Sequence, residues 1–379
     1  MKSKKKILLV SCWGLGNGGV QAIMMGIVRS LSDKFTFDAL VFTSESRYYE
    51  KEFLSYGGEI IRIPHYEGEN RYVQALDAYT RDFYIYRETK RVLKEKGPYI
   101  AVHCNKEHES APILKAAYEC GINTRICHSH VVNQKGRYIY NIINKIRQKY
   151  INKYATVKIG CSEEACRSIY IENDYEYAVA AAAAQKLRHA RGGMAGYRDM
   201  NLYGTLFDGV SLVQVGSLGS NKNQIFSIRI LSELLKSGIE AKLTIIGFEL
   251  EKAYRDRIIR EIELLGLSSN VCLLPGTSNI PQILSESDVF LMPSISEGFG
   301  IFLIEAQAMG LRCYASSSIP TATDCGGITY IDLKEGPNFW AKKIMSDKLN
   351  TDSRKIRYNT EKFKLANIVD EYYKIYTKW

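Results

Sequence analysis

Short apolar runs alternate with longer segments of helical periodicity along this chain. Residues 5–12, KKILLVSC, carry an apolar run without polar alternation, which predicts a strand buried on both faces of a parallel sheet. Behind them Val20, Ile23, Met24, Ile27, Val28 and Leu31 recur at helical spacing. Further runs predict strands at 37–43, 59–64, 99–104, 124–130 and 157–161, with helices over 69–97 and 109–120. Ser162 stands where it would cap the next helix. The pattern restarts with strands at 210–216, 241–247, 271–276, 288–292 and 311–318, and ends in a charged helical tail from about Asp352. Such alternation predicts doubly wound α/β sheets.

A chain of 379 residues is long for one core and predicts two domains. The break falls in 178–196, an alanine-rich stretch that is neither a good strand nor a clear turn, so the domains are expected over 1–178 and 179–355. Residues 135–154 form a basic amphipathic segment. Ile139, Ile142, Ile143, Ile146 and Tyr150 share a face, with Lys135, Arg137, Lys145, Arg147, Lys149 and Lys153 supplying the charge. The expectation is a surface helix packed on the sheet through its apolar face. Peripheral contact with an anionic membrane is the alternative.

The net charge of +10 favours anionic partners. No zinc-finger spacing or RNA-binding signature occurs, which argues against nucleic acid and leaves phosphorylated substrates or a membrane surface. No apolar run approaches the ~20 residues of a membrane span. The apolar part of MKSKKKILLVSC is too short for a signal peptide and reads as a first strand. Nine cysteines, an odd number with no CxxC pair, fit reduced thiols in the cytoplasm. Cys12, Cys104, Cys127, Cys161 and Cys272 fall in predicted strands, where core packing is expected.

Candidate chemistry gathers where strands end. In DVFLMPSISEGFGIFLIEAQAMG, residues 288–310, a strand meets a loop with Gly298 and Gly300, and a helix starts at Ile301. Free N–H groups and the dipole at such a start favour an anion. Glu297 and Glu305 frame the loop. They suit hydroxyl groups beside a bound phosphate, or else a helix cap and the edge of an apolar face. The loop WGLGNGGVQ, 13–21, makes a second strand–loop–helix cradle. His128 and His130 close the 124–130 strand, at the sheet edge where open α/β sheets bind ligands. A zinc site is not expected, since no third ligand is spaced nearby.

Glu297 and Glu305, with EGFG and LIEAQAMG around them, resemble the E-x7-E motif of retaining glycosyltransferases with the GT-B fold, most closely family 4. The resemblance implies two Rossmann-like doubly wound domains facing across a cleft. A final helix, within 356–379, crosses back to the first domain. It further implies sugar transfer from a nucleotide-sugar with retention, with Glu297 on the donor sugar and Glu305 on the ribose. Amides of Gly298, Phe299 and Gly300 would contact sugar and phosphate. Gly18 and Gly19 match the family's double glycine, and the 13–21 loop would lie near donor phosphates and acceptor. A histidine near the donor sugar corresponds to His130, or to His128 if the register differs by one step. Lys222 matches the diphosphate-binding lysine, while Ser217 stands where the family has an arginine. Gly247 ends another donor-domain strand.

No D-x-D sequence occurs, which fits a site that uses no metal. The wording of 316–324 is most similar to capsule and exopolysaccharide enzymes, which implies a UDP-sugar donor and a glycan or lipid-linked glycan acceptor. Two rivals remain: a nucleotide-sugar epimerase of the same fold, and a non-catalytic sugar-nucleotide or glycan-binding paralogue.

Overall fold

The structure is a computed structural model that describes residues 4–11, 14–16, 18–64, 74–130, 138–171, 174–177, 209–276, 279–349, 358–359, 363 and 365–378. The alanine-rich segment, Cys12, Lys135 and Arg137 lie outside them. The chain divides into two compact units, Met1–Ala184 with Leu365–Trp379, and Gln185–Lys364.

The first unit runs β1 (Lys5–Ser11), α1 (Gly19–Leu31), β2 (Phe35–Val41), α2 (Glu50–Ser55), β3 (Ile60–Arg62), α3 (Gln74–Lys96), β4 (Tyr99–Asn105), α4 (Ser110–Glu119), β5 (Thr124–Ser129), α5 (Tyr138–Tyr154), β6 (Val157–Gly160), α6 (Glu163–Ile169) and β7 (Glu176–Tyr177). The second runs β8 (Val210–Val215), α7 (Gln224–Lys236), β9 (Ala241–Ile246), α8 (Lys252–Leu264), β10 (Val271–Leu274), α9 (Ile280–Ser285), β11 (Val289–Met292), α10 (Ile301–Ala308), β12 (Arg312–Ser316), β13 (Ile328–Ile331) and α11 (Gly336–Leu349). The last helix, α12 (Leu365–Thr377), belongs to the first unit.

Each unit has one parallel sheet. The strand orders are β3-β2-β1-β4-β5-β6-β7 and β10-β9-β8-β11-β12-β13. The order therefore reverses between β1 and β4 in one sheet and between β8 and β11 in the other. At such switch points the loops leaving two neighbouring strands part and open a crevice at their C-terminal ends. The uninterrupted apolar runs follow from burial on both sheet faces: Ile7, Leu8, Leu9 and Val10 are all fully buried. In the second unit, α7 and α11 cover one face, with Trp340 fully buried and its ring edge-on to Phe226.

Helix α12 is sewn to the first sheet by aromatic residues. Tyr376 packs edge-on against Phe35 and Phe37 of β2, with centroids 5.7 and 6.1 Å apart. Its hydroxyl lies 2.8 Å from His103 Nδ1 on β4.

Two expectations need correction. Helix α5 does not pack through its isoleucine face: Asn144, Arg147, Ile151 and Tyr154 are buried, while Ile142, Ile146 and Tyr150 are exposed. An ion pair lies on the inward face. Arg147 donates two hydrogen bonds, of 2.8 and 2.7 Å, to Asp82 on α3, which turns the guanidinium inward. Cys272, assigned to a core, is exposed on edge strand β10, whereas Cys104, Cys127 and Cys161 are buried. Among the described residues no helix is long and apolar enough to cross a membrane.

Candidate functional site

The second unit's switch point is built from the loops after β8 and β11, which are zipped together. Ile295 N–H donates to the Asn221 carbonyl, at 2.9 Å. Asn221 Nδ2 donates back to the Ser296 carbonyl, and Asn223 Nδ2 to the Pro293 carbonyl. Asn223 takes a left-handed conformation, φ 53°, which asparagine tolerates better than most residues. This turn sets Lys222 opposite Glu297. Lys222 Nζ lies 2.6 and 2.7 Å from the two Glu297 carboxylate oxygens, and Ser294 Oγ donates to one of them at 2.7 Å. Glu297 therefore does not cap a helix.

The start of α10 follows at Gly300, whose φ of 83° favours glycine, and no side chain caps it. The dipole at such a helix start favours an anion. Glu305, one turn in, is 4% exposed. The Phe299 side chain is buried, edge-on to Phe363, so only its backbone is available to a ligand.

The loops after β8 and β9 come backbone to backbone. A Cβ on Gly247 would sit 1.9 Å from the Gly216 carbonyl oxygen, so this glycine is required by the close approach. The Ser217 carbonyl accepts from Gln224 Nε2, at 2.9 Å.

At the first unit's switch point, Gly18 is the N-cap residue of α1 and Gly19 opens the helix, with no side-chain cap. Both histidines are buried. They part company chemically. His128, within β5, has Nδ1 3.2 Å from His103 Nε2 and belongs to the chain that ends on Tyr376. His130, one residue past the strand, has Nε2 2.8 Å from Asn105 Oδ1. Asn105 Nδ2 donates to two backbone carbonyls, which leaves Oδ1 as acceptor and makes His130 Nε2 the protonated nitrogen. Nδ1 then carries a buried lone pair with no partner among the described residues. Burial lowers the His130 pKa to about 3, so the ring is neutral.

Glu107, which sequence reasoning missed, completes this cluster. It takes φ 44°, unusual for a glutamate, just past β4. Its Oε1 accepts the His130 backbone N–H at 3.0 Å. Burial raises its pKa to about 7; the His130 N–H and Lys106 oppose the rise, and Glu109 adds to it. In the sequence EHES it reads only as a helix start, and nothing in that pattern marks a positive φ.

Two parallel-sheet Rossmann-like units with these strand orders form the GT-B fold. Solved structures share it: Anabaena HepE in complex with UDP has a TM-score of 0.73 at 14% identity, covering 99% of this chain and 100% of that one. WaaG, a glycosyltransferase involved in lipopolysaccharide biosynthesis, has a TM-score of 0.62 at 15% identity, covering 98% and 95%. Residues 208–325 match the family described as Glycosyl transferases group 1, and that stretch holds Ser217, Lys222, Gly247, Glu297 and Glu305. A Bacillus subtilis (strain 168) protein with the provisional name glycosyltransferase EpsF is 27% identical over 354 residues, 91% of this chain and 88% of that protein. An Escherichia coli enzyme named UDP-Gal:alpha-D-GlcNAc-diphosphoundecaprenol alpha-1,3-galactosyltransferase is 42% identical over 53 residues, 14% of each chain.

Proposed function

We propose that this protein is a retaining hexosyltransferase. It moves a sugar from a nucleotide-sugar, UDP-linked, to a glycan or lipid-linked glycan in exopolysaccharide or capsule synthesis. The observation that carries the reading is the Lys222–Glu297 pair beside the uncapped start of α10, at a switch point and inside the matched stretch. A UDP donor is supported by the HepE complexes with UDP and UDP-glucose and by the E. coli relative's name. That name also supports a lipid-linked acceptor. Likeness to EpsF and the resemblance of 316–324 support the polysaccharide setting. The enzyme would work in the cytoplasm, at the inner face of the cell membrane.

In this reading the bond from the anomeric carbon to the diphosphate oxygen breaks and negative charge grows on that oxygen. The N–H groups at the start of α10 and Lys222 stabilise the charge. An ammonium has three donors. Two serve Glu297, and the third remains for a phosphate oxygen. With Ser217 in place of an arginine, that share matters more. Glu297 holds donor hydroxyls and Glu305 the ribose, while amides of Gly298, Phe299 and Gly300 line sugar and phosphate. Gly247 sets the backbone beside them. The acceptor oxygen attacks from the leaving-group side and its proton passes to the departing phosphate, without a metal ion. His130, with Gly18 and Gly19, is assigned to the first unit's ligand.

A thermal-shift screen against nucleotide sugars tests the donor, since a ligand bound only by the native state raises the melting point. Products formed from the donor alone then separate the rivals. An epimerised sugar indicates the epimerase, and slow release of UDP the transferase. If Glu297→Ala leaves turnover unchanged, or no nucleotide sugar raises the melting point, the reading fails.

A further inference from the structure

Strands β8 and β9 keep their register past their last residues. Val215 pairs with Ile246, and beyond the contact between Gly216 and Gly247 Leu218 pairs with Glu249. The Leu218 N–H donates to the Phe248 carbonyl, at 2.9 Å. Phe248 is therefore held in an extended stretch two residues past Ile246, and side chains two apart along such a stretch share a face. Ile246 belongs to the core cluster that holds Val215, with Leu303 and Ala306 of α10. Phe248 thus stands at the C-terminal edge of the sheet, on the face that carries α10. The backbone after it is also fixed, since Glu251 accepts from the Ser220 N–H and hydroxyl at 3.3 and 3.2 Å. This fixed backbone carries an open ring. Phe248 is 44% exposed, and among the described residues no aromatic ring or cation stacks on it. In the same register its neighbour after β8 is Ser217, too small to cover it. The ring is close to the Lys222–Glu297 pair: Gly247 touches Gly216, and a Cβ on Gly216 would meet the Lys222 stem at 3.5 Å.

We infer that the Phe248 ring stacks on the uracil base of the donor nucleotide, an inference that rests on the donor reading above. A nucleoside diphosphate joins its base to its phosphates through one ribose, so phosphates held at Lys222 place the base within reach of a ring two backbone contacts away. Every base offers a π face, and an aromatic side chain supplies affinity there without reading its hydrogen-bonding edge. A ring on a fixed backbone loses little freedom on binding. With Ser217 in place of an arginine, this contact moves part of the hold on the donor from the diphosphate to the base.

The test is calorimetric titration of UDP, and separately of inorganic pyrophosphate, into the full chain and its variants. Phe248→Ala should weaken UDP binding about tenfold and leave pyrophosphate binding unchanged. Phe248→Tyr, which keeps the ring, should bind UDP within about twofold of wild type. Lys222→Met should weaken both ligands, which separates loss of the base contact from loss of the phosphate contact. Circular dichroism verifies folding. Phe248→Leu keeps the apolar bulk without the π face, and should weaken UDP alone; it serves if Phe248→Ala fails to fold. Equal UDP affinity in wild type and the folded Ala or Leu variant overturns the inference and leaves the donor reading standing. Equal weakening of UDP and pyrophosphate also overturns it, since Phe248 then acts only through the loop. Wild type that binds no UDP overturns it together with the donor reading.

Discussion

Replacing Lys222 by methionine should destabilise the second unit, and adding Glu297→Gln should restore most of the loss. At 2.6–2.7 Å the pair attracts with a gross energy of about 6 kcal/mol for an effective dielectric of 20. Desolvation cancels most of that, because the side chains are only 26% and 10% exposed. A net coupling of about 1–3 kcal/mol remains. Lys222→Met alone leaves Glu297 with Ser294 Oγ as its described partner and no counter-charge. The loss should then be about 2–3 kcal/mol. The double variant removes both charges and should recover to within about 1 kcal/mol of wild type. The assay is urea denaturation of the four proteins, read as shifts in midpoint at constant slope. Losses that simply add across the cycle would refute the reasoning, since the two charges would then not be coupled.

Other outcomes follow from single sites. Glu107 has its pKa raised on folding, so the folded chain holds a proton the unfolded one releases, and stability falls as pH climbs from the usual carboxylate range toward about 7. The drop is at most about 3 kcal/mol. Glu107→Gln should match wild type near pH 5 and exceed it at pH 8 in urea midpoint; an equal gap at both pH values contradicts the assignment. Gly247→Ala should cost about 1–3 kcal/mol or more, since its Cβ would overlap the Gly216 carbonyl, and thermal melting measures the loss. Tyr376→Phe should cost about 1–3 kcal/mol by leaving a buried ring nitrogen of His103 unpaired, with faster amide exchange in α12 as the readout.

Much of the fold was legible because strands buried on both faces must be apolar throughout, and helices on such sheets must carry one apolar stripe. Ser162 capped α6 as expected, its side chain accepting from the Ala165 N–H. Gly300 and Gly247 were legible because positive φ and close backbone approach respectively demand glycine. What failed was set by partners distant in sequence. The inward face of helix α5 carries Arg147, whose partner Asp82 lies 65 residues away. Glu297 reads as a possible cap until Lys222, 75 residues earlier, is brought opposite. His128 and His130 share a periodicity, yet one bonds into a histidine–tyrosine chain and the other to Asn105. Glu107 was invisible because its backbone conformation carries no sequence signal.

In the proposed function the loops after β8 and β11 hold the diphosphate of a sugar donor. Calorimetric titration of UDP into wild type and Lys222→Met tests it most directly. Wild type should bind UDP, and the variant, still folded, should bind about tenfold or more weakly. Equal affinity in the two proteins, or no UDP binding by wild type, would contradict it.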